Sequence, residues 1–164
     1  MLVSNVVAAE EEFSARSFDL GMVVSDIDKS VAFYTKAIGM QEASSFSVPA
    51  DWCKDVGLTD GKKLDIRVLA LGKGANASKL KLMQVTGTKS EKPQNDFLHS
   101  SLGFSYLTIG VTDMNASLAR LKKAGVKTVK KSPQPLPKPL PSHIIITVVR
   151  DPDGNFVELV GPRK

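Results

Sequence analysis

Apolar and polar residues alternate in two short stretches of the chain, and each stretch changes to a helical spacing at an aspartate. The first runs from Leu20 to Ala37, and the second runs from Leu107 to Ala124 with seven of eighteen aligned positions identical. Period-two alternation indicates a strand, and apolar residues three or four apart indicate a helix. Each copy therefore predicts a strand followed by a helix with an aspartate N-cap, Asp26 or Asp113. The chain contains a duplicated module.

Further alternating segments complete each copy. After the first helix the pattern predicts strands over 40–48, 64–71 and 79–85, with a hairpin turn at Gly72-Lys73-Gly74. After the second helix it predicts strands over 126–130, 143–150 and 155–160, the last entered through Asp153-Gly154.

These elements predict an α+β fold of two tandem βαβββ modules that form curled mixed sheets around a concave cleft, with the helices outside. We expect modules at 17–88 and 102–162. About 70 residues make a marginal independent core, so both should fold together as a single domain over 17–162.

The composition of the chain limits the classes of function and partner that it can have. Hydrophobic residues make up 42% of the chain and charged residues 24%, and no apolar run reaches the roughly 18 residues of a membrane span, which predicts a soluble protein. The net charge is +5, and much of the excess lies in 120–138, where no aromatic residue is available for base stacking. We expect neither nucleic acid nor membrane as a partner. The single cysteine, Cys53, excludes an intrachain disulfide.

The N-terminal segment 1–16 leaves two alternatives open. Leu2 to Ala9 is apolar but lacks the basic residues that begin a signal peptide, which favours a flexible tail on a cytoplasmic protein. The alternative is an exported protein whose N-terminus is the remnant of a signal peptide.

Two irregular segments are candidates for the rim of a cleft. Pro49 to Gly61 contains a possible short helix and the only tryptophan, Trp52, which either covers the cleft mouth or anchors the insert. Ser132 to Pro141 holds five prolines in ten residues, which favours a stiff loop at the rim over an SH3-type ligand.

The parity of each strand separates residues that pack under the helices from residues on the opposite face. In the first strand Leu20 and Met22 pack, so Asp19 faces the other way, and its repeat equivalent is Tyr106. The same reasoning turns Lys81 and Glu158 away from the helices. These four side chains are predicted to point into one concavity, where a fold of this shape would hold a ligand.

The motifs resemble the vicinal oxygen chelate superfamily, which includes glyoxalase I, extradiol dioxygenases and bleomycin-resistance proteins. The resemblance covers roughly 18–162 and rests on motifs that occur in order and in duplicate. They are Val24-Ser25-Asp26-Ile27-Asp28-Lys29-Ser30 with Phe33-Tyr34 and Gly39-Met40, Val111-Thr112-Asp113 with Ala124-Gly125, and Asp151-Pro152-Asp153-Gly154-Asn155-Phe156-Val157-Glu158-Leu159.

The resemblance implies a divalent cation bound by His, Glu or Gln at one position in each of four strands. Those positions here are Asp19, Lys81, Tyr106 and Glu158, of which only Glu158 is a usual ligand type. An ammonium has no lone pair to offer a metal, so we expect no cofactor, with a divalent ion on Glu158 and Asp19 as the alternative. Lys81 would then neutralise the two carboxylates, either in a functional site or in a purely structural salt bridge.

Three functions remain open. The first is a metal-independent member that binds, and can transform, a small polar metabolite with Asp19, Lys81, Tyr106 and Glu158 as its catalytic candidates. The second is a metal-dependent lyase, isomerase or dioxygenase of the same superfamily, and the third is a non-enzymatic sequestering protein of the resistance type. A homodimer is expected for so short a chain. Five further residues are substrate-binding candidates: Arg67, Trp52, Met83, Thr108 and Phe156.

Overall fold

Two four-stranded mixed sheets form the framework of the protein in the computed structural model, which describes residues 17–164. The expectations for residues 1–16 lie outside the described residues. Sheet 1 has the order β1-β4-β3-β2, and sheet 2 has the matching order β5-β8-β7-β6. The pairs β1–β4 and β5–β8 are parallel, and the other pairs in both sheets are antiparallel. The strands are β1 (Asp19–Val23), β2 (Gln41–Val48), β3 (Leu64–Ala70), β4 (Lys79–Val85), β5 (Tyr106–Gly110), β6 (Gln134–Pro135), β7 (Ile144–Arg150) and β8 (Phe156–Pro162).

The helices begin where the sequence predicts. Helix α1 (Ile27–Ala32) continues directly as a π-helix over Phe33–Ile38, and α3 (Met114–Lys123) is its equivalent in the second module. Asp26 accepts a hydrogen bond from the backbone N–H of Lys29, and Asp113 accepts two in the first turn of α3. Both predicted N-caps are confirmed. The insert after β2 forms the short helix α2 (Ala50–Asp55).

The predicted strand over 126–130 is wrong. Only Thr128 forms a bridge there, to Val149, and the backbone of Lys130 turns into the left-handed region with φ 50°. The fourth strand of sheet 2 is instead β6, which lies inside the proline-rich segment and pairs with β7. Proline is tolerated there because β6 is an edge strand, whose outward side needs no donor. The proline-rich segment is therefore partly strand rather than entirely loop.

One core lies beneath the helices and joins the modules. Its fully buried side chains come from both helices and both sheets, and include Tyr34, Leu82, Leu121 and Leu159. Strand residues that alternate with these core positions lie on the opposite side of each sheet. We call that side the open face.

Three hydrogen bonds connect residues 25–38 of the first module to residues 120–153 of the second. The Tyr34 hydroxyl donates to Asp151 over 3.1 Å, and burial beside that carboxylate raises the pKa of the tyrosine. The backbone N–H of Ser25 donates to Asp153 over 3.0 Å. The Arg120 guanidinium donates to the carbonyl of Ile38 over 3.2 Å. The relative position of the two sheets is thus fixed by polar contacts as well as by the core.

Within residues 17–164, no helix is both long enough and apolar enough to cross a lipid bilayer.

Candidate functional site

An ion pair occupies the open face of sheet 1. Lys81 lies opposite Gly21 in the register of β1 and β4, and its Nζ is 2.9 Å from the Oδ2 of Asp19. Both side chains are about one-third exposed. The hydrogen bond from Lys81, together with the charges of Lys81 and the neighbouring Lys79, holds the pKa of the Asp19 carboxyl below its ordinary value. Asp19 therefore stays ionised at neutral pH and holds the Lys81 ammonium in place.

A hydroxyl and a carboxylate occupy the equivalent place in sheet 2. Thr108 lies opposite Glu158 in the register of β5 and β8, and its hydroxyl donates to Oε2 of Glu158 over 2.8 Å. Tyr106, the repeat equivalent of Asp19, lies opposite Phe156 and is 53% exposed. The sequence grouped Tyr106 with Glu158, whereas the partner that Glu158 has in the structure is Thr108.

A small cavity is lined by residues of both sheets, among them Leu20 of β1, Leu80 of β4 and Leu107 of β5. Its volume is about 110 Å³, and apolar side chains make up most of its wall. Lys79 from β4 and Thr108 from β5 also line it. Most of the lining belongs to the side of the sheets that packs under the helices, so the cavity extends the core rather than the open face. Its apolar lining includes Phe18, Leu20, Met40, Leu80, Leu107 and Ile109.

The donor set at the four equivalent positions does not fit a divalent cation. Lys81 carries an ammonium, which repels a cation and has no lone pair to offer, and it already binds Asp19. The Tyr106 hydroxyl is not a usual ligand of divalent ions, which leaves Glu158 as the one typical ligand of the four. Over residues 17–164, no group of three or more His, Cys, Asp or Glu side chains has an arrangement that can hold a metal ion.

The remaining substrate-binding candidates are divided between the two sides of sheet 1. Arg67 donates to Glu42 and to Asp28 of α1, so it lies on the helix side and is not brought together with Lys81. Met83 is on the open face, where it packs against a small cluster of buried residues around Cys53 of α2. Helix α2 thus covers part of the open face.

Trp52 and Phe156, the two aromatic candidates, differ in their surroundings. Cys53 is fully buried and anchors α2, whereas Trp52 is 53% exposed. Phe156 lies beneath the guanidinium of Arg150, with 3.9 Å between the guanidinium carbon and the ring centre. That cation–π contact fixes the ring beside Tyr106.

Of the residues that line the cavity, only Thr108 is among the site candidates identified from the sequence. Alternation does place Lys79 on the open face with Lys81, and this signal was available without a structure. Phe18 precedes β1, and nothing in its sequence context distinguishes it from a linker residue. Its place in the cavity wall depends on how the two sheets meet.

The fold and the duplicated modules agree with a comparison against protein families. The family model of the Glyoxalase/Bleomycin resistance protein/Dioxygenase superfamily matches residues 18–159. The chain belongs to this superfamily. The match covers both modules and both halves of the candidate site.

Individual relatives show how far the similarity extends. A protein of Synechocystis described as a probable lactoylglutathione lyase is 25% identical over 137 residues, which cover 84% of this chain and 88% of the relative. The structure of a glyoxalase family protein from Bacillus cereus has a TM-score of 0.73 at 18% identity, covering 95% of this chain and 99% of that one. Glyoxalase I from Zea mays has a TM-score of 0.68 at 21% identity, and the match covers 91% of this chain but 45% of the maize protein. The two structural likenesses establish the shared fold.

Proposed function

We propose that the chain binds a small polar or anionic metabolite on its open faces, in a site that functions without a divalent ion. The observation that carries this proposal is the ion pair between Lys81 and Asp19, at two of the four positions that the family resemblance assigns to metal ligands. An ammonium held by a carboxylate supplies a fixed positive charge where metal-dependent relatives use a cation. It also stays accessible, because about one-third of each side chain is exposed.

Each of the four residues has a distinct proposed role. Lys81 and Tyr106 donate hydrogen bonds to oxygen atoms of the ligand, and bonds from a charged donor are the stronger kind. Asp19 positions Lys81. Glu158, oriented by Thr108, accepts a proton when a bound ligand is transformed. We assign the proton transfer to Oε1 of Glu158, because Oε2 already accepts a hydrogen bond from Thr108.

The relative described as a probable lactoylglutathione lyase favours a second candidate, a metal-dependent lyase of the same superfamily. That function would require Glu158 and Asp19 to coordinate the ion. Lys81 opposes it, because a cation bound to Asp19 would have to displace the ammonium from its partner. The donor set therefore supports the first candidate over the second.

A homodimer is part of the same proposal. Several apolar side chains on or beside the open face of sheet 1 are about half exposed, including Val23 at 48%, Phe46 at 49% and Trp52 at 53%. A second copy of the chain placed against this face would remove that surface from water and narrow the cleft. Sedimentation at micromolar concentration measures the oligomeric state directly.

Replacing Lys81 with methionine is expected to weaken ligand binding at least about tenfold, because one charge-assisted hydrogen bond is lost. The protein is first treated with EDTA and screened by thermal shift against small carboxylic acids, hydroxy acids, amino acids and inorganic phosphate. Compounds that raise the melting temperature are then titrated calorimetrically into the wild type and Lys81→Met.

The matched control is Lys73→Met, a lysine in the exposed turn between β3 and β4. It should bind like the wild type. The proposal is contradicted when no compound of the panel binds the metal-free protein, or when Lys81→Met binds every compound as tightly as the wild type.

A further inference from the structure

The open face of sheet 1 changes from charged to apolar along β1 and its neighbour β4. Alternate residues of the two strands lie on this face, and the register places them in three successive pairs. Alternate residues of a strand are about 7 Å apart, so the three pairs form a row about 13 Å long. The pairs are Asp19 with Lys79, Gly21 with Lys81, and Val23 with Met83.

The first part of the row carries a net positive charge. The Nζ of Lys81 is 2.9 Å from the Oδ2 of Asp19, and the Lys81 side chain stays partly exposed. Lys79 is close enough for its charge to act on the same carboxylate. Two ammonium groups therefore accompany one carboxylate, and the Lys81 ammonium keeps further N–H donors for a ligand. This end of the row attracts an anion and repels a cation.

The second part of the row is apolar because Gly21 has no side chain. Met83 pairs with Val23, yet its ε-methyl carbon lies 3.0 Å from the point that a Cβ on Gly21 would occupy. The Met83 side chain thus folds back along the sheet and covers Gly21, the residue that pairs with Lys81. Met83 is partly exposed and Val23 is about half exposed. Both offer apolar surface next to the ammonium, and methionine adapts its shape to what it contacts.

We infer that the ligand is an aliphatic carboxylate, whose carboxylate group binds Lys81 and whose hydrocarbon chain lies along β1 over Met83 and Val23. This inference rests on the proposed function and names its class of ligand. Lys81 keeps the role it has there, as the donor to ligand oxygens that Asp19 positions. The chain removes the exposed Met83 and Val23 surface from water, which adds affinity in proportion to the area covered.

The same row disfavours three related classes of ligand. A neutral alcohol of equal length gains the apolar contact but not the charge-assisted hydrogen bond from Lys81. A short carboxylate gains that bond but does not span the roughly 7 Å to the level of Gly21 and Met83. A dicarboxylate of equal length places its second charge against the Met83 methyl group, which costs the solvation of that charge.

Five probes test the charge and the chain separately: acetate, butanoate, hexanoate, hexanol and hexanedioate. Each is titrated calorimetrically into the EDTA-treated protein. Affinity should rise from acetate through butanoate to hexanoate, by at least about tenfold in all, because each methylene that is fully removed from water is worth up to about fourfold. Hexanol and hexanedioate should each bind at least about tenfold more weakly than hexanoate.

Substitutions on the row locate the chain through the ratio of hexanoate to acetate affinity. Met83→Ser and Val23→Ser should each lower this ratio at least about threefold and leave acetate affinity unchanged, because Lys81 is intact. Met83 also packs against the cluster around Cys53, so Met83→Leu, which keeps an apolar side chain there, should retain most of the ratio. The matched control is Leu140→Ser, an exposed leucine of the proline-rich segment, which should bind like the wild type.

The failure of this inference differs from the failure of the proposed function. If hexanoate binds the wild type no more tightly than acetate, while Lys81→Met weakens both, the aliphatic ligand is excluded and the proposed function stands. If Met83→Ser and Val23→Ser change sedimentation but not the affinity ratio, the row belongs to a protein interface and the inference is wrong. If no anion of either panel binds the metal-free protein, both fail.

Discussion

Replacing Gly161 with alanine is expected to lower the free energy of unfolding by about 3 kcal/mol or more, a loss in the range of severe overpacking. Gly161 lies near the end of β8, where a Cβ would stand 2.0 Å from the carbonyl oxygen of Val111 and 2.8 Å from its Cγ2. A backbone oxygen cannot swing aside as a flexible side chain does. The end of β8 would have to move away from the residue that follows β5, and β8 is the strand that carries Glu158.

The matched control is Gly110→Ala, in the neighbouring strand β5. No atom lies within 4 Å of the Cβ that this substitution adds, so its effect should stay within about 1 kcal/mol. Urea denaturation followed by circular dichroism gives both values. Equal stabilities for the two variants would mean that β5 and β8 do not approach each other as closely as described.

Replacing Asp151 with alanine should destabilise the protein by a similar amount, about 3 kcal/mol or more, because it leaves one buried donor and three part-buried donors without a partner. Asp151 is 5% exposed. Its carboxylate accepts hydrogen bonds from the Tyr34 hydroxyl at 3.1 Å, from the N–H groups of Asn155 and Asp153, and from the Asn155 side chain. It thus holds the turn before β8 and links that turn to the first module.

Asp60→Ala is the control for this substitution. Asp60 pairs with Lys62 at the surface, with 75% of its side chain exposed, and a pair of that kind contributes little. Tyr34→Phe separates the link between modules from the turn itself, and should cost less than Asp151→Ala because the two backbone amides keep their acceptor. A stability of Asp151→Ala within about 1 kcal/mol of the wild type would refute this role.

The repeat explains why so much of the fold follows from the sequence. Strand alternation and the two aspartate caps are local signals, and the structure confirms both in each module. The fourth strand of sheet 2 was misplaced because β propensity favoured Val126 to Lys130 over a proline-rich stretch. An edge position removes the usual penalty for proline, and whether a strand lies at an edge is a tertiary property.

The candidate site was predictable in part. Parity places Asp19 and Lys81 on one face, and the structure adds that they form an ion pair. Parity does not tell which residue of β5 reaches Glu158, since Tyr106 and Thr108 lie on the same face two positions apart. The register of β5 against β8 places Thr108, and not Tyr106, directly opposite Glu158. Parity also does not reveal the ion pairs that Arg67 makes with Glu42 and Asp28, because these partners lie far from it in sequence.

The most direct test of the central claim is a calorimetric titration of Zn²⁺, Ni²⁺ and Mn²⁺ into the EDTA-treated wild type and into Lys81→Glu. We expect no stoichiometric ion in the wild type, because the Lys81 ammonium stands where a ligand is needed. Lys81→Glu should gain an ion, since it replaces the ammonium beside Asp19 with a second carboxylate, a ligand that divalent ions accept. A stoichiometric ion in the wild type that disappears in Glu158→Gln would contradict the account and make a metal-dependent lyase the better description.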